Sequence, residues 1–150
     1  EKVVLQKNEL SEIIECINKI SRKSNFENII VKPHPKNYIE DLEKYFLPLI
    51  NHPNITLYGD SIYNLVSKNN QFISTYSTTA LVSIANQSPT YIINTEIFSK
   101  IFHDWTTLSD LYSKFSGFTT SDEILNCKID TDSDKQHLKN FFKTQNYEIF

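Results

Sequence analysis

From Lys2 to Asn94, short apolar runs alternate with segments whose apolar residues recur at three- and four-residue spacing. That alternation restricts the fold more than any other feature of the chain. KVVLQ, from Lys2 to Gln6, reads as a first strand, followed by an amphipathic helix marked by Leu10, Ile13, Ile14, Ile17 and Ile20, with Asn8 or Ser11 as its cap. ENIIVK reads as the second strand, and Ile39, Leu42, Tyr45, Phe46 and Leu49 mark the next helix, ended by Asn51-His52-Pro53-Asn54. NITLYG is a third strand, and Ile62, Leu65 and Val66 fit a two-turn helix. QFIST is a fourth strand, TALVSIANQ the helix that Pro89 closes, and TYIIN a fifth strand. Strands alternating with helices imply βαβ crossovers. The expected fold class is therefore α/β: a Rossmann-like three-layer domain with a mainly parallel sheet.

Beyond Glu96 the pattern weakens, although Leu108 to Phe115 and SDKQHLKNFFK near the end read as helices. No repeat, linker or composition break divides the 150 residues, so one domain spanning 1–150 is expected. The formal net charge of −3, with lysines interspersed among acids, argues against broad electrostatic capture of nucleic acid. No run approaches the roughly 20 apolar residues that cross a bilayer, and no signal peptide is visible. Cys16 and Cys127 are the only cysteines and make no disulfide framework, which points to a reducing, cytoplasmic setting. Neither they nor His52, His103 and His137 have zinc-ligand spacing, so no metal is expected. Trp105 and most Phe and Tyr residues read as core. With Gly59 and Gly117 the only glycines, the chain has neither a dinucleotide fingerprint nor a P-loop.

Two clusters carry candidate chemistry. In IIVKPHPK, Ile29 to Lys36, an apolar run breaks into a histidine between two prolines. Pro33 and Pro35 restrict the backbone on both sides of His34 and hold it on a stiff spur at a strand's carboxyl end, where open α/β sheets bind ligands. In STYSTTAL, Ser74 to Leu81, the hydroxyls of Ser77, Thr78 and Thr79 meet the unpaired N–H groups of a helix start, a ready phosphate site. The competing reading makes Ser77 or Thr78 an ordinary N-cap, worth about 1 kcal/mol. After different strands of one parallel sheet, the two clusters would share an edge. Lys32 adds positive potential beside the spur, unless it is simply a solvated strand-end lysine. Gly59 and Asp60 form another junction on that edge, suited to a base or ribose, and Glu96 follows the fifth strand, where it is either a ribose acceptor or a surface carboxylate.

KPHP followed by STYSTTAL and then SPTYIIN resembles the histidine-proline motif and the serine/threonine-rich motif of bacterial sialyltransferases and related capsule or lipooligosaccharide glycosyltransferases. The resemblance covers roughly Lys2 to Glu96 and implies half of a GT-B fold, its C-terminal, nucleotide-sugar-binding domain. It further implies transfer of sialic acid from CMP-sialic acid to a surface glycan, inverting and without metal or other cofactor. His34 would be the catalytic residue, contacting the donor phosphate with Ser77 and Thr78 or Thr79; Lys32, Pro35, Gly59, Asp60 and Glu96 are candidate nucleotide-binding residues by position in the expected topology, not by motif. The physics is compatible: hydrogen-bond donors aimed at a departing phosphate stabilise charge where it develops.

In that family the glycan acceptor and the general base belong to an N-terminal domain, so this chain alone is expected to be inactive. Asp60 has the carboxylate a base needs, but nothing in its context argues for that role. The resemblance implies a cytoplasmic enzyme, with peripheral attachment at the inner membrane face left open. Three alternatives stand: a CDP-glycerol-type phosphotransferase domain, a CMP-Kdo capsule transferase domain, and a non-catalytic Rossmann-like binding module. The acceptor, the linkage and the oligomeric state are open.

Overall fold

The computed structural model describes residues 2–23, 26–32, 39–57, 61–96 and 106–144. The chain is α/β, with short sheets in which every pairing among the described residues is parallel. It groups into two compact units, Glu1–Ser61 and Ile62–Phe150.

The first unit opens with α1, Lys2–Lys23. The strand expected over Lys2 to Gln6 is instead the first turns of this helix. An apolar run that short is ambiguous by period, and no glycine or proline separates it from the helical segment behind it, so the helix simply extends backward. Asn8 and Ser11, expected as caps, are accordingly interior to the helix. β1, Ile29–Val31, pairs with β2, Ile55–Leu57, in register Ile29 with Ile55 and Val31 with Leu57. These four side chains join Ile13, Ile14 and Ile17 of α1 in one core, while Ile30 and Thr56 face away.

Between the strands runs a helical segment that changes its winding. A single α-turn, α2 (Ile39–Asp41), passes into a π-turn over Leu42–Phe46 and a 3-10 turn over Leu47–Leu49. In the π-turn the Leu47 N–H donates to Leu42 O, five residues back, so residues four apart stay on one side. Leu42, Phe46 and Ile50 are therefore the buried stripe, and Tyr45 and Leu49, expected inside from three-four spacing, are about 60% exposed (61% and 59%). Two polar side chains tie the segment down. The Asn18 Nδ2 donates to Leu49 O (3.0 Å) and its Oδ1 accepts from Asn51 N (2.8 Å). His52 Nδ1 accepts from Asn54 N (3.0 Å), which leaves Nε2–H to donate to Phe26 O (2.8 Å).

In the second unit, the two-turn helix expected from Ile62 is a single 3-10 turn, Ile62–Asn64. β3 (Phe72–Ser74), β4 (Thr90–Ile93) and β5 (Phe118–Thr119) form a parallel sheet in that order. α3 (Thr78–Ala85) connects the first two strands. α4 (Thr106–Ser113) precedes β5, and α5 (Thr131–Thr144) follows it. Ala80 and Ile84 of α3, Ile92 of β4, Leu111 and Tyr112 of α4, Phe115, and Leu138 of α5 make one core. β5 was not visible in the sequence because two residues carry no period.

α3 ends in a Schellman motif: Ser88 N donates to Ser83 O and Gln87 N to Ile84 O, both at 3.0 Å. The position that glycine usually takes is held by Gln87 at φ 59°, whose side chain donates to Asp132 at the start of α5. A second tie fixes the turn into β5. Asp134, 3% exposed, accepts from Ser116 N and Ser116 Oγ, both at 2.7 Å. Ser116 Oγ in turn accepts from Asp130 N, and Ser116 O from the Cys127 thiol. Next to it, Gly117 lies against β4 so closely that a Cβ would fall 1.9 Å from Thr90 O.

Gly117→Ala is therefore expected to cost at least about 2 kcal/mol, since a strand backbone must move to make room; an unchanged urea midpoint would contradict this. Burial pushes the Asp134 carboxyl above its ordinary value near 3.8, and the two Ser116 hydrogen bonds only partly oppose it. A raised folded-state value means that the proton linkage favours folding below pH 3.8 and is lost as pH rises through the folded value. The stability of the wild type relative to Asp134→Asn should therefore fall as pH is raised from about 4. Denaturant titrations of both proteins across pH check the sign.

Candidate functional site

The turn from β3 into α3 is the candidate site that the structure describes. Ser77 has an extended backbone, φ −149° and ψ 157°, and its Oγ accepts from Ala80 N at 3.2 Å, so it is the N-cap of α3. Ser74 Oγ lies 2.9 Å from Ser77 Oγ and donates to Thr75 O at 3.0 Å, so the Ser77 hydroxyl donates to Ser74. The hydroxyl of Ser77 is thus engaged on both sides. Thr78 is exposed and Thr79 half-buried, at the helix positions whose backbone N–H groups have no intrahelical acceptor. An anion could meet those two N–H groups and both threonine hydroxyls without breaking the cap.

Two tyrosines brace this turn. The Tyr112 hydroxyl of α4 donates to Ser77 O at 2.9 Å, and the Tyr76 hydroxyl donates to Asn94 Oδ1 at 3.0 Å. The two rings meet edge to face with centroids 5.1 Å apart. Burial pushes both phenols up to about 12, so they remain donors at neutral pH. Because β3 and β4 are parallel, with Ser74 opposite Ile92, the residues leaving both strands emerge on one edge of the sheet. Asn94, Thr95 and Glu96 follow β4 there; Thr95 is buried and Glu96 exposed.

The other expected contacts divide into two groups. Lys32 is described, exposed, immediately after β1 in the first unit. His34 and Pro35 of the proline spur, and Gly59 and Asp60, lie outside the described residues, as do His103 and Trp105. Among the described residues no three His, Cys, Asp or Glu side chains are grouped to hold a metal ion. No helix among them is long and apolar enough to cross a membrane. Cys16 is wholly buried and its thiol is pushed up to about 12 by that burial, which makes it a core residue rather than a nucleophile.

Sequence reasoning singled out Ser77 to Thr79 but missed Tyr76, Asn94 and Tyr112. Tyr76 stands inside the quoted hydroxyl run, and Asn94 ends the expected fifth strand, so register between adjacent parallel strands was the available signal. Tyr112 could be found only from packing. Compared with family models, with curated proteins and with solved structures, the chain matches none.

As the N-cap of α3, Ser77 should be worth about 1 kcal/mol to folding. Ser77→Ala is expected to lower the unfolding free energy by that amount while Thr78→Val changes it by less than about 0.5 kcal/mol. Equal effects in chemical denaturation would mean that the cap is not where the hydrogen bonds put it.

Proposed function

We propose that the chain is the nucleotide-sugar-binding domain of a bacterial glycosyltransferase of the sialyltransferase-like kind, transferring sialic acid from CMP-sialic acid to a surface glycan. The observation that carries this reading is the β3–α3 turn. Its helix start offers two N–H groups and two threonine hydroxyls at the carboxyl edge of a parallel sheet, and the cap leaves them available. The parallel α/β construction is consistent with it.

In this reading Thr78 and Thr79 donate to the donor phosphate and Ser77 shapes the turn, while His34 is the catalytic residue that the resemblance to the histidine-proline motif implies. As the glycosidic bond to the phosphate breaks, the sugar carbon becomes positive and the CMP phosphate gains negative charge. N–H and O–H donors already in place favour that charge more than the ground state, which is how they accelerate transfer. In such an enzyme the base that takes the acceptor's proton belongs to the N-terminal half.

Titrating the protein with CMP and following backbone amides by NMR tests the reading. Expected are shifts concentrated at Thr78 and Thr79, and about tenfold weaker binding, or ~1.4 kcal/mol, in each of His34→Ala and Thr78→Val. Shifts confined to other segments, or an affinity indifferent to His34→Ala, would overturn it. Absence of any CMP binding favours the non-catalytic module instead.

A further inference from the structure

We propose that Asn94 is a ligand-binding residue whose side-chain N–H2 group donates to the oxygens of a nucleoside monophosphate held at the β3–α3 turn. This rests on the reading of that turn as a phosphate site and adds a contact from the neighbouring strand.

The backbone of Asn94 is anchored by its own N–H, which donates to Thr119 O of β5 at 2.8 Å, and it is followed by the fully buried Thr95. Its position is therefore rigid. Counting two residues past the Ser74 and Ile92 pair brings Tyr76 and Asn94 opposite each other, and the hydrogen bond between their side chains meets that expectation. In that bond the Tyr76 hydroxyl donates and the Asn94 carbonyl Oδ1 accepts, at 3.0 Å. The amide group is planar. With Oδ1 committed to Tyr76, the two N–H donors of Nδ2 face the other way, and no described residue accepts from them.

Packing accounts for only half of this side chain. To satisfy Tyr76 an acceptor is enough, and an aspartate would serve as well as an asparagine. Asn94 is half-buried as a residue, and its N–H2 group is what the fold itself does not use. It stands on the edge from which the Ser74 to Thr79 turn also leaves, linked to it through the Tyr76 and Tyr112 ring contact and the Tyr112 bond to Ser77 O. A neutral donor there suits an anionic, oxygen-rich ligand; a carboxylate would repel it.

Asn94→Asp separates the two roles, because it keeps the acceptor for Tyr76 and replaces the outward donor with negative charge. CMP, and cytidine as a phosphate-free control, are titrated against wild type and variant by calorimetry, with thermal unfolding of each. Expected are an unfolding midpoint close to wild type and CMP binding weakened at least about tenfold, with cytidine binding changed much less. Equal CMP affinity in wild type and Asn94→Asp overturns the role of Asn94 and leaves the reading of the turn intact, whereas a wild type that binds no CMP removes both. Should the variant fold poorly, the side-chain amide resonances of Asn94 in the wild-type protein decide: they shift on adding CMP if Nδ2 donates to it, and an unmoved pair contradicts the proposal.

Discussion

Ile92 and Ile93 are consecutive residues of β4, so their side chains leave opposite faces of the sheet, and both are wholly buried. That double burial is the constraint on which the second unit depends. On one side Ile92 joins the core built by α3, α4 and α5. At roughly 1.5–3 kcal/mol per buried aliphatic side chain, this packing is a main reason the unit holds together despite strands of two to four residues. It also fixes where β4 ends, and therefore which residues emerge beside the β3–α3 turn.

The polar contacts around that core are ties that carry rigidity rather than bulk stability. Asp134 holds the Ser116 turn, Gly117 brings β5 against Thr90, and the two tyrosine hydroxyls hold Ser77 and Asn94. Each acts within a few residues of a strand end. At the edge from which Ser74 to Thr79 and Asn94 to Glu96 emerge, the Tyr76 and Tyr112 hydroxyls hold Asn94 and Ser77, which is what a preorganised binding edge requires.

Legibility in the sequence followed the length and punctuation of each element. Strands at Ile29–Val31, Ile55–Leu57, Phe72–Ser74 and Thr90–Ile93 and the helix closed before Pro89 were readable because turn residues bracket apolar runs. The start of α1 was misread because Val3, Val4 and Leu5 suit either period. Tyr45 and Leu49 were assigned to the core on α-helical spacing that the π-turn then altered. The ties of Asn18 to Leu49 and Asp134 to Ser116 span 31 and 18 residues, and no local pattern marks a polar side chain whose partner is that distant. For the candidate site, a cap at Ser77 or Thr78 was legible from residue type and the hydrogen bond to Ala80 puts it at Ser77, whereas Asn94 needed the register of β3 and β4.

The central claim is that the first turn of α3 receives a nucleotide phosphate. A crystal structure of the protein grown with CMP tests it most directly. Expected are phosphate oxygens within hydrogen-bond distance of the Thr78 and Thr79 N–H groups, with the Ser77 cap intact. CMP bound elsewhere on the protein, with this turn unoccupied, would contradict it.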